Sequence, residues 1–484
     1  MCVAQRLTLL GLVLVFASAC ATTRPKHAGS SGDARGKAHT LDLSFDVRAP
    51  YTATLLNTLE GASLDWLNQT LGFSSNDLDW IKRYRQARQG WTSSPYFGHV
   101  DASFVPHLRC GYRANNVNAM LKCMRRVTPS SDHHIITQAI ARTDTHLRTH
   151  WQRSQPFLNK LRRLTEGHLQ NTNIHALIGR IAQFAQLKPK TSQRVSIVMA
   201  LRPPQGARLG RREDNHLIVE VDRDQSDISV MSTIMHELTH YLVRQSPSIA
   251  PLEAHLATQE RIGTITANYW NEIVATAFEH LARHTLSPRN SAQQALYGDW
   301  VIDTLARYLV EHWQQHHMQP LGPKLGDQLI VLMNQYWPEK YWTLKDAFFR
   351  VVVFAEDTPT LFAFRHASPG QALWGLAPLP TSFVRPENTP PSLSTLALTL
   401  DSTWRQRPEI PPTTLHDQQH ANAGKGKQPI LCWSYSTNDA PQAALIAATP
   451  ESLHKTTKEL ARHLAQLPVP QEGCQPWSVN ERHL

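Results

Sequence analysis

His236-Glu237-Leu238-Thr239-His240 sets two imidazoles four residues apart, with a carboxylate beside the first. On a helix, residues i and i+4 are surface neighbours, so both rings can reach one metal ion. Zinc held by three protein ligands keeps a fourth position for water and brings the pKa of that water near neutral. Glu237 then stands where a general base is needed. The chemistry implied by this spacing is hydrolysis of a peptide or similar amide bond.

The motif alone decides little, because the chain carries 25 His among 484 residues. The competing reading is a buried helix with two satisfied histidines. Context favours the metal. Ile228, Val230, Met231, Ile234, Met235, Leu238, Tyr241, Leu242 and Val243 repeat as on an apolar helix. Inside such a helix, His and Glu are costly unless they bind something. Ser226 or Asp227 would be the N-cap, and Pro247 marks the stop. Upstream, 194–201 and 216–222 read as strands, with Pro203, Pro204, Gly206 and Gly210 breaking the chain between them. An edge strand at 217–222 would offer a rail to an extended peptide.

A second apolar helix is expected over 269–281, with Ile273, Val274, Ala277, Phe278 and Leu281 as its stripe. Glu272 lies within it and needs a partner there, which makes it the preferred third ligand. Glu260, Glu253 and Glu279 are the alternatives.

Taken together, residues 190–285 resemble the glutamate-type zinc metallopeptidases, the clan that includes thermolysin and the minigluzincins. The resemblance implies a zincin-like core with a small mixed sheet and two metal-bearing helices. It implies one Zn2+ per chain on His236, His240 and Glu272, the last preceded by Asn271, with Glu237 as general base. Two features depart from the clan. Where thermolysin's branch has an Asp that orients a ligand histidine, this chain has Thr276, and Glu279 is the candidate to replace it. The interval from His240 to Glu272 is also longer, and a loop containing Pro247 and Pro251 is expected to fill it. Glu260 fits thermolysin's spacing better, but its neighbours Gln259 and Arg261 look solvent-facing. Tyr336, Tyr341, His280 and His366 are candidates for steadying an oxyanion.

The elements that must position these groups suggest a mainly helical α+β protein. Residues 41–189 read as a helical N-terminal region and 190–366 as the catalytic core with a helical, aromatic-rich second lobe. Residues 367–428 read as a proline-rich linker, and 429–484 as a small α/β segment.

Arg6, the apolar run Leu7–Phe16 and Ala17-Ser18-Ala19-Cys20 resemble a bacterial lipoprotein signal over 1–19, with Cys20 as the lipidated residue and 20–40 as a tether. The expected address is the bacterial envelope, at the outer membrane facing the periplasm, with the membrane engaged through the N-terminal lipid. In that oxidising compartment Cys110, Cys123, Cys432 and Cys474 suggest two disulfides, local pairing being the simplest of three connectivities. A net charge of +10 suits an anionic envelope surface. A nucleic-acid partner is discounted, because the basic residues are dispersed and no such motif is present. Asp222, Asp224 and Asp227 read as an acidic turn rather than a calcium loop.

The expected activity is thus that of an exported, lipid-anchored zinc metallopeptidase acting on a polypeptide substrate. The rival readings are an amidase or endopeptidase of cell-wall peptides and a non-catalytic envelope assembly lipoprotein with a structural metal site.

Overall fold

Strand Gln193–Leu201 (β2) is buried along almost its whole length, so it must be covered on both faces. In the computed structural model it lies inside a four-stranded sheet. Its neighbours are Leu43–Arg48 (β1) and His216–Val221 (β4), both parallel to it, while Gly210–Glu213 (β3) runs antiparallel to β4 at the far edge. The structure describes residues 43–89, 106–188, 193–203, 210–213, 215–288, 299–343, 350–355, 372–378, 394–406, 429–435, 441–464 and 473–476, with Leu296, Thr360 and Phe364.

The period of two along these strands divides two hydrophobic cores. Val198, Ala200 and Ile218 face one side, where they meet Leu55, Leu56 and Leu59 of helix Tyr51–Gly61 (α1). The same core takes Ile81 and Tyr84 of Ser75–Gln89 (α3), and Met120 and Met124 of Val117–Val127 (α5). Between these lie Leu64–Leu71 (α2) and Pro106–Arg113 (α4), the latter tied to α5 by the Cys110–Cys123 disulfide. Val195, Ile197, Met199, Leu217, Val219 and Val221 face the opposite core.

Helix His133–Leu169 (α6) serves both cores. Ile136, Ile140 and Leu147 lie in the first, and Leu158, Leu161 and Leu169, beyond Pro156, in the second. One helix therefore supplies both cores from its two halves. Thr172–Phe184 (α7) then leads into β2.

On the second face pack Asp227–Val243 (α8) and Glu260–Leu286 (α10), which lie against one another. The interval between them is not simply a loop, because Ile249–Leu256 (α9) occupies it. Trp300–Gln315 (α11) and Pro323–Tyr336 (α12) close the far side of α10. Phe184, Phe278 and Trp313 form an aromatic triad joining α7, α10 and α11, with ring centroids 5.2–5.6 Å apart.

The remaining strands form a second sheet. They are Arg350–Ala355 (β5), Ala372–Pro378 (β6), Ser394–Leu400 (β7), Ile430–Tyr435 (β8), Pro441–Ala447 (β9) and Gly473–Pro476 (β10), in the order β10-β8-β9-β7-β5-β6. Helices Asp401–Gln406 (α13) and Pro450–His463 (α14) accompany it. The stretch 367–428, expected as a linker, thus contributes β6, β7 and α13, and β7 is hydrogen-bonded between β5 and β9. Cys432 and Cys474 face each other across β8 and β10 and are bonded. Residues 39–484 form one compact unit, mainly helical with these two sheets.

Candidate metal centre

Helix α8 starts where the sequence places its cap: Ser226 Oγ accepts the Ser229 amide at 3.2 Å. Asp227 beside it pairs with His168 Nε2 of α6 at 2.7 Å, which pins the helix start to the long helix behind it. A carboxylate in the first turn also suits the helix dipole. Asp222 is used by Arg202, at 2.7 Å, and by the Asp224 amide. Asp222 and Asp227 are thus taken up by basic side chains at the turn that leads into α8.

His236 and His240 leave α8 one turn apart and point at α10. Their Nε2 atoms are 3.0 Å apart, and each lies 3.4 Å from Glu272 Oε2. Tetrahedral zinc with bonds near 2.0–2.1 Å holds its donors roughly 3.3 Å apart. The three donors therefore stand close enough together to hold one ion, and among the described residues they are the one group of this kind. His236 and Glu237 are buried, while His240 and Glu272 keep some exposure, so the cluster opens on one side. Glu237 is close enough to His240 to act on it electrostatically.

Burial by itself disfavours a charged His236, but the carboxylates of Glu272 and Glu279 outweigh it and hold the ring well above its ordinary pKa. His240 is raised likewise, with burial opposed by Glu272. For Glu272, burial is overcome by the two imidazoles, and its pKa falls well below the usual range. The three groups thus form a polar cluster held by opposite charge in the position a cation would take.

Glu279 sits behind this cluster, seven residues along α10 and on the face of Glu272. Its Oε2 lies 3.2 Å from His236 Nδ1, and its Oε1 accepts Ser232 Oγ at 3.2 Å. A carboxylate on the outer nitrogen fixes a ligand histidine's ring and tautomer and raises its basicity. Thr276, at the position where thermolysin's branch has Asp, is fully buried and its Oγ1 has no hydrogen-bond partner among the described residues. Ser232 was not foreseen. Its signal was there, since it precedes His236 by one helical turn.

Among the described residues no other candidate joins this cluster. Glu260 opens α10, twelve residues or about 18 Å before Glu272. Strand 217–222 is not an edge, because β4 is paired on both sides over its first residues. The edge is β3, since the antiparallel return of the chain places it outside β4. Tyr336 stacks on Tyr308 with centroids 3.6 Å apart, Tyr341 is exposed, and His280 Nε2 faces Asp303 Oδ1 at 4.0 Å. His366 and Cys20 lie outside the described residues. Among those residues no helix is long and apolar enough to cross a membrane.

Comparison with protein-family models, with curated proteins and with solved structures finds no match.

Proposed function

We propose that this chain is a zinc-dependent metallopeptidase with a zincin-like core, and that it is exported and lipid-anchored through Cys20 at the bacterial outer membrane. The observation that carries the enzymatic reading is the convergence of His236, His240 and Glu272 on one point, with Glu237 from the same motif alongside. His236, His240 and Glu272 would hold the ion. Bound zinc would polarise a scissile carbonyl and make water acidic enough to be deprotonated near neutral pH. Glu237 would accept the proton of the attacking water on its carboxylate and deliver it to the leaving nitrogen. The outer edge of β3 would align an extended polypeptide by backbone hydrogen bonds. Glu279 and Ser232 would hold His236 in its ligating orientation throughout.

The test is metal content and peptide cleavage of the purified protein and three variants. The proposal expects about one zinc per wild-type chain, loss of zinc in His240→Ala and Glu272→Ala, and a Glu237→Gln protein that keeps zinc but cleaves 10²–10⁴-fold more slowly, roughly the share of a general base. Zinc retained in Glu272→Ala would move the third ligand elsewhere. Wild-type protein without metal under zinc-replete conditions would remove the peptidase reading. Full function in cells of Glu237→Gln would leave a structural metal site.

A further inference from the structure

Charge is distributed unevenly between the layers. Residues 51–169, which form α1 to α6, hold fifteen Lys and Arg against eight Asp and Glu. Residues 193–286, which form the first sheet's central strands and both metal-bearing helices, hold nine against eleven. Most of the net charge of +10 therefore belongs to the helical region whose core lies across the sheet from the candidate metal centre.

On that region α3 and α5, both packed on α6, carry basic and aromatic side chains. Half-buried Trp80 of α3 stands among them. The guanidinium of Arg83 lies 5.0 Å from the Trp80 ring centroid, that of Arg142 lies 5.8 Å away, and His134 of α6 makes a T-shaped contact with the ring, centroids 5.3 Å apart. One turn along α6, Thr137 Oγ1 accepts Arg125 of α5, which is followed by exposed Arg126. Two acids on these helices are already occupied: Asp77 binds Arg142 and His146, and Asp79 binds Lys82. Among the described residues Arg83, Arg125 and Arg126 pair with no carboxylate, and their charge is directed outward.

We infer that this α3/α5/α6 face is a docking surface for an anionic phospholipid bilayer. An amphipathic indole rimmed by arginines suits the boundary between headgroups and acyl chains, and basic residues without a carboxylate partner are drawn to anionic lipid. A bilayer on this face would leave the candidate metal centre, on the other side of the sheet, directed away from it. The inference does not depend on the peptidase reading.

The test uses residues 39–484, a compact unit of their own, so that neither the apolar leader nor a lipid on Cys20 contributes. Co-sedimentation is measured with phosphatidylglycerol-containing vesicles and with pure phosphatidylcholine vesicles. The expected result is binding to the anionic vesicles alone, weakening as salt rises. Arg83→Gln, Arg125→Gln and Arg126→Gln together should lower the affinity on the order of a hundredfold. Arg180→Gln, Lys324→Gln and Lys340→Gln, the same change in charge elsewhere, should leave it nearly unaltered, and Trp80→Ala should weaken it at constant charge. Absence of binding to anionic vesicles, or equal losses in the two triple variants, would overturn the inference. So would an unchanged Trp80→Ala affinity with equally tight binding to a soluble polyanion such as heparin, which would identify a general polyanion surface. Circular dichroism and zinc content of each variant separate a lost surface from a lost fold or a lost metal site.

Discussion

Glu279 Oε2 lies 3.2 Å from the outer nitrogen of His236, while the inner nitrogen of the same ring faces His240 and Glu272. Carboxylates thus flank the ring on both sides, and both come from the helix that carries Glu272, the candidate third ligand. Glu279→Ala should lower zinc affinity by about 10- to 100-fold without removing any ligand. Ser232→Ala removes one hydrogen bond to that carboxylate and should cost on the order of 1 kcal/mol. Competition against a fluorescent chelator measures both. Equal affinity in Glu279→Ala and wild type would mean that the carboxylate does not support the ring.

Gly263, in the first turn of α10, passes so close to the end of α9 that an added Cβ would overlap the carbonyl oxygen of Leu256. That atom is backbone and cannot swing aside. Gly263→Ala should therefore destabilise the protein by about 1–3 kcal/mol, as overpacking does. Because the helix must shift to relieve the overlap, and Glu272 lies nine residues further on, zinc affinity should fall as well. Urea denaturation with and without zinc would separate the two effects.

Glu60 is a partly buried hub of the N-terminal helices. It accepts Tyr84 Oη at 2.6 Å and meets His107 Nε2 at 2.9 Å and Arg88 at 2.6 Å. Burial would raise its pKa, but Arg88, His107 and Tyr84 together bring it down from 4.5 to about 2. A carboxyl depressed on folding gives stability that is complete above its unfolded pKa and is lost as pH falls through the folded one. Stability should thus decline between about pH 4.5 and 2 by on the order of 3 kcal/mol on this account. Glu60→Gln should be less stable at neutral pH and show a shallower decline on acidification. Thermal melts across that range test it, and parallel curves for the two proteins would contradict it.

The Cys432–Cys474 bond closes a span of 42 residues and joins β10 to β8. Cross-linking a loop of that length stabilises by about 4 kcal/mol through the unfolded chain. Replacing both cysteines with Ser should lower the melting temperature and expose β10 to proteolysis first, since its pairing is to β8 at one end of the sheet order. Limited proteolysis with mass spectrometry reads out the order of cleavage.

Much of the site was legible because its signals are local. The i,i+4 histidines, the Ser226 cap and the position of Glu272 beside an apolar stripe are all set within a few helical turns. Both disulfides also join consecutive cysteines. The strands escaped where pairing is distant. Leu43–Arg48 sits just before a run of helices, yet its partner is β2, about 150 residues on. The segment 394–400 is short and apolar between prolines, a pattern that does not distinguish a buried parallel strand from an irregular stretch. Its partners at 350–355 and 441–447 were invisible to any local window. The same limit made 217–222 look like an edge, since only the return of 210–213 alongside it decides which strand is outermost.

The alternation along β2 and β4 limits how the chain can be shortened. A fragment spanning only 190–366, the stretch that carries every candidate zinc ligand, would leave Val198, Ala200 and Ile218 facing water and would strip β1 from the edge of the sheet. Such a fragment would expose a sticky β surface and an open strand edge at once. Its loss of activity would report collapse of the scaffold rather than anything about the zinc ligands. For the peptidase proposed above, removal of the N-terminal helices by a protease would be an irreversible off-switch, the opposite of the release by which a pro-segment activates an enzyme.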